Sequence, residues 1–295
     1  MASISRSDRA PAATVLPQRS AVAPLVRRHP TVLAGLALII VLALLAVFAP
    51  YLNTVDPITF SPVHRLKPPS ERFWFGTDSF GRDVYSRTMY GGRISLIIGF
   101  SVAILSTSVG LVIGLVAGYI RTADTILMRV MDGLMAIPSI LLAIALITLT
   151  KASVQSVLIA IAIPEIPRVV RLVRAIVLTL REQPYIEAAT AIGAGLPKIL
   201  VRHLLPNTLA PLIVQATYIC AAAVLIEAAL GFLGAGTPPE IPSWGNIIAE
   251  GRTHFMVSPW MILFPGLFLA TTVLAINLVG DGLRDLLDPR IARRM

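Results

Sequence analysis

From Pro30 to Val55, and again from Ile94 to Ile120, the chain carries no charged side chain. Runs of that length are what a helix needs to cross a bilayer, roughly 20 residues. Nothing else in the sequence constrains the fold as tightly. The balance of the whole agrees: 56% of the 295 residues are hydrophobic and 14% are charged, against about 25% charged in soluble domains. The sequence therefore predicts an all-α, polytopic membrane protein without a large soluble core. The single cysteine, Cys220, lies inside an apolar run, which leaves no disulfide framework and no thiolate metal cluster.

Taken in order, residues 1–26 are rich in Ala, Pro, Ser and Arg and read as a disordered cytoplasmic tail. Residues 27–93 hold a first transmembrane helix, Val32 to Tyr51, and an extracytoplasmic loop. The apolar run behind Arg27-Arg28 is too long for a secretory signal, whose core is about 7–15 residues. In the loop, Thr77, Asp78 or Ser79 is placed to cap a helix. Asp78 with Arg82, and Asp83 with Arg87, have the spacing of i,i+4 ion pairs. Residues 94–290 form a core with five more spans. The second is Ile94 to Ile120, where Gly110, Gly114 and Gly118 repeat every fourth residue, a pattern that lets helix backbones approach closely. A charged turn over Arg121 to Arg129 leads to a third span, about Ile126 to Leu149, containing Asp132 and Pro138. The fourth starts at Ala152 and must continue past Pro164, Glu165 and Pro167 into Arg168, Arg171 and Arg174. The prolines are expected to break it. Leu204 to Ile226 is the fifth span, Gly231 to Trp260 a Gly/Pro-rich loop, and Trp260 to Val279 the sixth.

Six spans put both termini on one side. Most of the 25 Lys and Arg residues then fall on that side, which the positive-inside rule assigns to the cytosol. The first outer loop runs against the trend with Arg65, Lys67, Arg72, Arg82, Arg87 and Arg93. The net charge of +9 is thus read as membrane orientation, and nucleic acid is not an expected partner.

On the cytosolic side lies a 187–207 insert, EAATAIGAGLPKILVRHLLPN. Pro184 stops the preceding helix, and Glu187 falls in the first turn of a new one, where its charge suits the helix dipole. Ala188 and Ala189 follow, Gly193 and Gly195 turn the chain, and a second helical piece places Leu196, Leu200 and Leu204 on one face. Pro206 opens the next span. The insert reads either as an interfacial loop or as a docking element for a soluble partner.

Glu187, Ala188, Ala189, Gly193, Leu205 and Pro206 stand as they do in the EAA loop of ABC importer permeases, and the string Phe75-Gly76-Thr77-Asp78 with Gly81-Arg82-Asp83 resembles a signature of the dipeptide/oligopeptide/nickel branch. His203 replaces the isoleucine usual in the wider family, and His-x-Leu-Pro-Asn is common in that branch. The resemblance implies a type I ABC importer permease fold with six transmembrane helices in the inner membrane. It implies a second permease subunit, two ABC ATPase subunits coupled through this loop, and an extracytoplasmic solute-binding protein. The coupling residues it implies are Glu187, Ala188, Ala189, Gly193, Leu196, Leu200, Leu205 and Pro206.

The sequence itself contains no HExxH, no GxSxG, no Cys/His cluster and no GxxxxGK[ST] loop. No catalytic residue, metal or cofactor is expected, and ATP hydrolysis belongs to partner subunits. An ion-gradient transporter is the alternative, which would carry inverted repeats. Two acidic residues at membrane depth, Glu165 and Asp132, are candidates for the translocation pathway, because such groups normally face protein or water. Glu165 has a second reading, an internal pair with Arg168.

Overall fold

The computed structural model of the chain describes residues 30–287. The tail expected over residues 1–26 and the Asp288-Pro289-Arg290 string lie outside them. Among the described residues the secondary structure is helical, apart from one isolated bridge between Thr77 and Asp83. Helix α1, Pro30–Val47, is the first uncharged run. It ends earlier than expected, in a separate 3-10 turn over Ala49–Tyr51.

Helix α2, Val84–Tyr119, starts well before Ile94, inside what the sequence suggests is loop. Its start is set by Asp83, whose side chain accepts the Ser86 N–H and so satisfies one of the free donors of the first turn. The capping residue is thus Asp83, not Thr77, Asp78 or Ser79, and the expected Asp83–Arg87 pair does not form.

The third run is two helices, α3 (Arg121–Met135) and α4 (Ser139–Thr148), bent by 88° where Pro138 falls. The charged turn expected at Arg121 is already helical. Helix α5, Val154–Leu180, overturns the expectation of a break: Pro164 and Pro167 both lie within one helix of 27 residues. The short α6, Pro184–Ala191, is followed by α7, Leu196–Phe232. The loop expected over 231–260 contains α8, Trp244–Arg252, whose N-cap Ser243 is fully buried. Helix α9, Trp260–Leu287, closes the described chain.

Four of these helices, α1, α2, α7 and α9, are long and apolar enough to cross a membrane, and the bent α3–α4 pair makes a fifth candidate. Helix α5 has the length, but Glu165, Arg168, Arg171 and Arg174 lie along it.

The bundle is built around α2. Methyl groups added at Gly110, Gly114 and Gly118 would stand 2.5, 2.7 and 2.6 Å from the Cβ atoms of Val169, Val173 and Val177. The glycine stripe is therefore filled by a valine stripe with the same four-residue period. The paired numbers rise together, so α2 and α5 run parallel, and α3–α4 carry the chain back between them. On the other flank Gly99 meets Val224 and Cys220, while Ser95 donates to Glu227 at 3.0 Å, so α7 runs antiparallel to α2. Helix α1 lies antiparallel to α9, with Gly35 against Ala275 and Val32 against Gly282. Two ends follow from this register. One gathers residues 30, 119–121, 181–204 and 287. The other gathers 47–84, 148–154 and 233–260.

Candidate coupling loop and charged seams

Pro184 occupies the first turn of α6, where a missing N–H costs nothing. Glu187 lies in that same turn, as expected. The helix stops in a Schellman arrangement: Gly193 N–H donates to Thr190 O and Ala194 N–H to Ala189 O, both at 3.0 Å. Gly193 has φ +83°, a left-handed conformation that L side chains resist, and open space surrounds it. The corner thus depends on backbone conformation and not on a close neighbour.

Ile186 and Ala189 face the chain's own core. The opposite face presents Tyr185, Ala188 and Ile192, the last 86% exposed. Sequence reasoning did not single out Tyr185 or Ile192. It also misjudged the second helical piece. Ile199–Leu204 is a π-helical stretch, in which residues five apart share a face. Ile199 and Leu204 are therefore the buried pair, while Leu196 is exposed and Leu200 half-buried. The widened turn lies directly before Pro206, whose ring and missing N–H disturb an α-helical ladder there. Leu205 is half-buried and Pro206 exposed.

The acidic residues of the spans form a ladder with the arginines of α5. Glu165 is 1% exposed, and its Oε2 accepts from Arg168 at 3.2 Å, while its Oε1 is buried without a partner. Arg171 reaches across to Asp132 on α3 at 2.6 Å, an exposed pair. Arg174 grips both oxygens of Asp124, also on α3. The three-residue spacing of the arginines was legible in the sequence; their partners on another helix were not.

At the far end, Asp78 is fully buried and accepts from both Arg82 and Arg87 at 2.6 Å. The same two arginines bind Glu250 of α8, at 2.5 Å and 2.8 Å. The Asp78–Arg82 pair is the one the sequence spacing predicts. Arg93 donates to Ala46 O and Val47 O at 2.6 and 2.7 Å, closing the free carbonyls at the end of α1. Among the described residues no group of three His, Cys, Asp or Glu side chains stands together as metal ligands would.

The arrangement can be compared with known proteins. Residues 110–293 match the family model described as binding-protein-dependent transport system inner membrane component. Residues 26–69 match the N-terminal transmembrane domain of oligopeptide transport permease C. A probable peptide ABC transporter permease protein of Sinorhizobium fredii is 54% identical over 94% of this chain and 95% of its own length. A dipeptide transport system permease protein of Alkalihalophilus pseudofirmus is 44% identical, covering 94% of this chain and 91% of the relative. A glutathione transport system permease protein of Pectobacterium atrosepticum is 40% identical, covering 90% and 88%. Among solved structures, a chain of the inward-facing MetNI methionine ABC transporter superposes with a TM-score of 0.56 at 22% identity, covering 68% of this chain and 96% of that one.

Proposed function

This chain belongs to the family of binding-protein-dependent transport system inner membrane components, and from that premise we propose that it is a permease subunit of an ATP-driven importer of peptides. The observation that carries the substrate class is the similarity, over most of both chains, to permeases named for peptides and dipeptides. In this reading ATPase subunits work from the cytosol, a solute-binding protein delivers from outside, and a second permease completes the pathway.

The parallel α2–α5 register supports a reading of six crossings, because a chain that joins two parallel helices has to return between them. They are α1, α2, α3–α4, α5, α7 and α9. Residues 30–83 then form the first span and outer loop, and 84–287 the described part of the core. The end with residues 119–121 and 181–204 is cytosolic, and so are both termini. The basic outer loop ceases to be an objection. Arg82 and Arg87 are neutralised by Asp78 and Glu250, and Arg93 is held by carbonyls, so half of the six basic residues there are engaged within the protein.

The coupling element is α6 with its Gly193 corner and the start of α7. Glu187, Ala188, Gly193 and Leu196 meet the ATPase, joined by Tyr185 and Ile192. Ala189, Leu200 and Leu205 hold the element to the bundle, and the exposed Pro206 marks where it passes into the long part of α7. Asp132 with Arg171 forms the polar wall of the pathway, and Glu165 anchors Arg168 beside it. Reconstituted membranes test the whole: uptake of a labelled dipeptide should require ATP, the ATPase subunits and the binding protein together. Uptake without ATPase, driven by an ion gradient, would refute it.

A further inference from the structure

A cavity of about 290 Å³ opens in the long loop between α1 and α2, away from the coupling loop and the α5 ladder. Its wall includes three aromatic rings, Phe73, Trp74 and Tyr85, together with His64, Arg72 and Asp83. Trp74 and Tyr85 lie 4.8 Å apart between ring centroids. Arg72 holds its guanidinium 5.4 Å from the Phe73 ring centre and is exposed. Desolvation, then the charges of Lys67 and Arg72, keep His64 below the usual imidazole range. Besides His64, the acidic and basic side chains of this wall are Asp83 and Arg72.

Asp83 is 9% exposed. Its Oδ2 accepts the backbone N–H and the hydroxyl of Ser86, whereas Oδ1 is buried and has no partner. The nearby arginines do not serve it, because Arg82 and Arg87 turn to Asp78 and Glu250. A buried carboxylate oxygen without a donor is costly, and the donor that satisfies it best is a cationic N–H. Aromatic faces beside it favour the same cation. Arg72, at the rim, suits a carboxylate. The volume is at the low end of the roughly 300–1,000 Å³ of small-molecule sites, so it admits one amino acid more readily than a peptide.

We propose that this cavity binds a free α-amino acid, with the ammonium at Asp83 beside the packed Trp74 and Tyr85 rings and the carboxylate at Arg72. The site is separate from the pathway, so it is a second ligand site on the permease.

The test is calorimetry on the assembled membrane complex in nanodiscs, without binding protein and without ATP, so that its result does not depend on transport. The probes are L-leucine, L-leucinamide, which lacks the carboxylate, and N-acetyl-L-leucine, which lacks the ammonium. Leucine should bind, and N-acetyl-leucine should bind at least about tenfold more weakly. Asp83→Asn should weaken leucine and leucinamide alike, while the helix keeps a competent cap. Arg72→Ala, at an exposed position, should weaken leucine and leave leucinamide unchanged. No leucine binding up to about 10 mM, or equal binding of leucine and N-acetyl-leucine, overturns the proposal. So does an Arg72→Ala variant that treats leucine as the parent protein does.

Discussion

The glycine–valine seam between α2 and α5 gives a prediction whose sign opposes the usual rule. Alanine at Gly114 would bring its Cβ to 2.7 Å from Val173 Cβ and 3.0 Å from Val170 O. Carbon atoms prefer about 3.5–4.0 Å, so the shortfall is about 1 Å. Neither atom can rotate away, since one is a Cβ and the other a backbone carbonyl. The helices must therefore separate, and the layers at Val169 and Val177 lose contact as well. Overpacking of this kind costs about 1–3 kcal/mol. Glycine to alanine in a helix otherwise gains up to about 1 kcal/mol, a term shared by every helical site. Gly133 and Gly266 are the controls, because an added Cβ there meets nothing within 4 Å. Cys220 is the only cysteine and is buried, so its reaction with a thiol dye on heating reports unfolding. Gly110→Ala, Gly114→Ala and Gly118→Ala should melt roughly 2–10 °C below Gly133→Ala and Gly266→Ala. Equal melting of the two sets would refute the seam, and with it the parallel register that supports six crossings.

Four further outcomes are expected. Gly193→Ala forces a side chain into the left-handed region at about 1–2 kcal/mol, so ATP-driven uptake should fall at unchanged membrane insertion, less for Gly193→Asn and completely for Gly193→Trp; normal uptake in the tryptophan variant excludes the coupling role. Arg87→Leu leaves Asp78 buried with one partner fewer and should destabilise by about 3–5 kcal/mol, read by the same dye, with Asp78→Asn recovering part of the loss. In a Cys220→Ala background, Ser70→Cys and Met256→Cys, the latter at a position 93% exposed, should react with an impermeant reagent from outside and Ile192→Cys should not; the reverse pattern inverts the topology. Glu165→Gln should lower uptake of every peptide alike if Glu165 anchors Arg168, whereas a selective loss of cationic peptides would put its carboxylate in the pathway.

What the sequence disclosed was what is periodic or local. The uncharged runs of α1 and α2, the Gly110–Gly114–Gly118 stripe, the Asp78–Arg82 pair and the Glu187 first turn all lie within a few residues of their cause. What it concealed needed a second element. Glu250 completes the Arg87 cluster from 163 residues away, and Asp124 and Asp132 find their arginines only because α3 folds back on α5. The prolines of α5 misled because a break is the local expectation, whereas packing against α2 holds the helix together. Ser243 falls within the run read as loop, because its role as the α8 cap is fixed by burial against other segments. The candidate coupling loop was legible as a corner, from Gly193, but its outward face was not. The π-helical stretch shifts the register, and a four-residue count of leucines cannot anticipate that.

Helix α2 is 36 residues long, or about 54 Å at 1.5 Å per residue, against a hydrocarbon core of about 30 Å. Its first turn belongs to the Asp78–Arg87–Glu250 cluster, and its last lies beside the end of α5, where Arg181 donates to Gly118 O at 3.3 Å. One unbroken rod is thus tied at each end to a different part of the chain. Such a rod works as a lever arm. A 5° tilt about its Tyr119 end swings the other end by about 5 Å over that length, enough to displace α8 by the width of a side chain without unwinding a single turn.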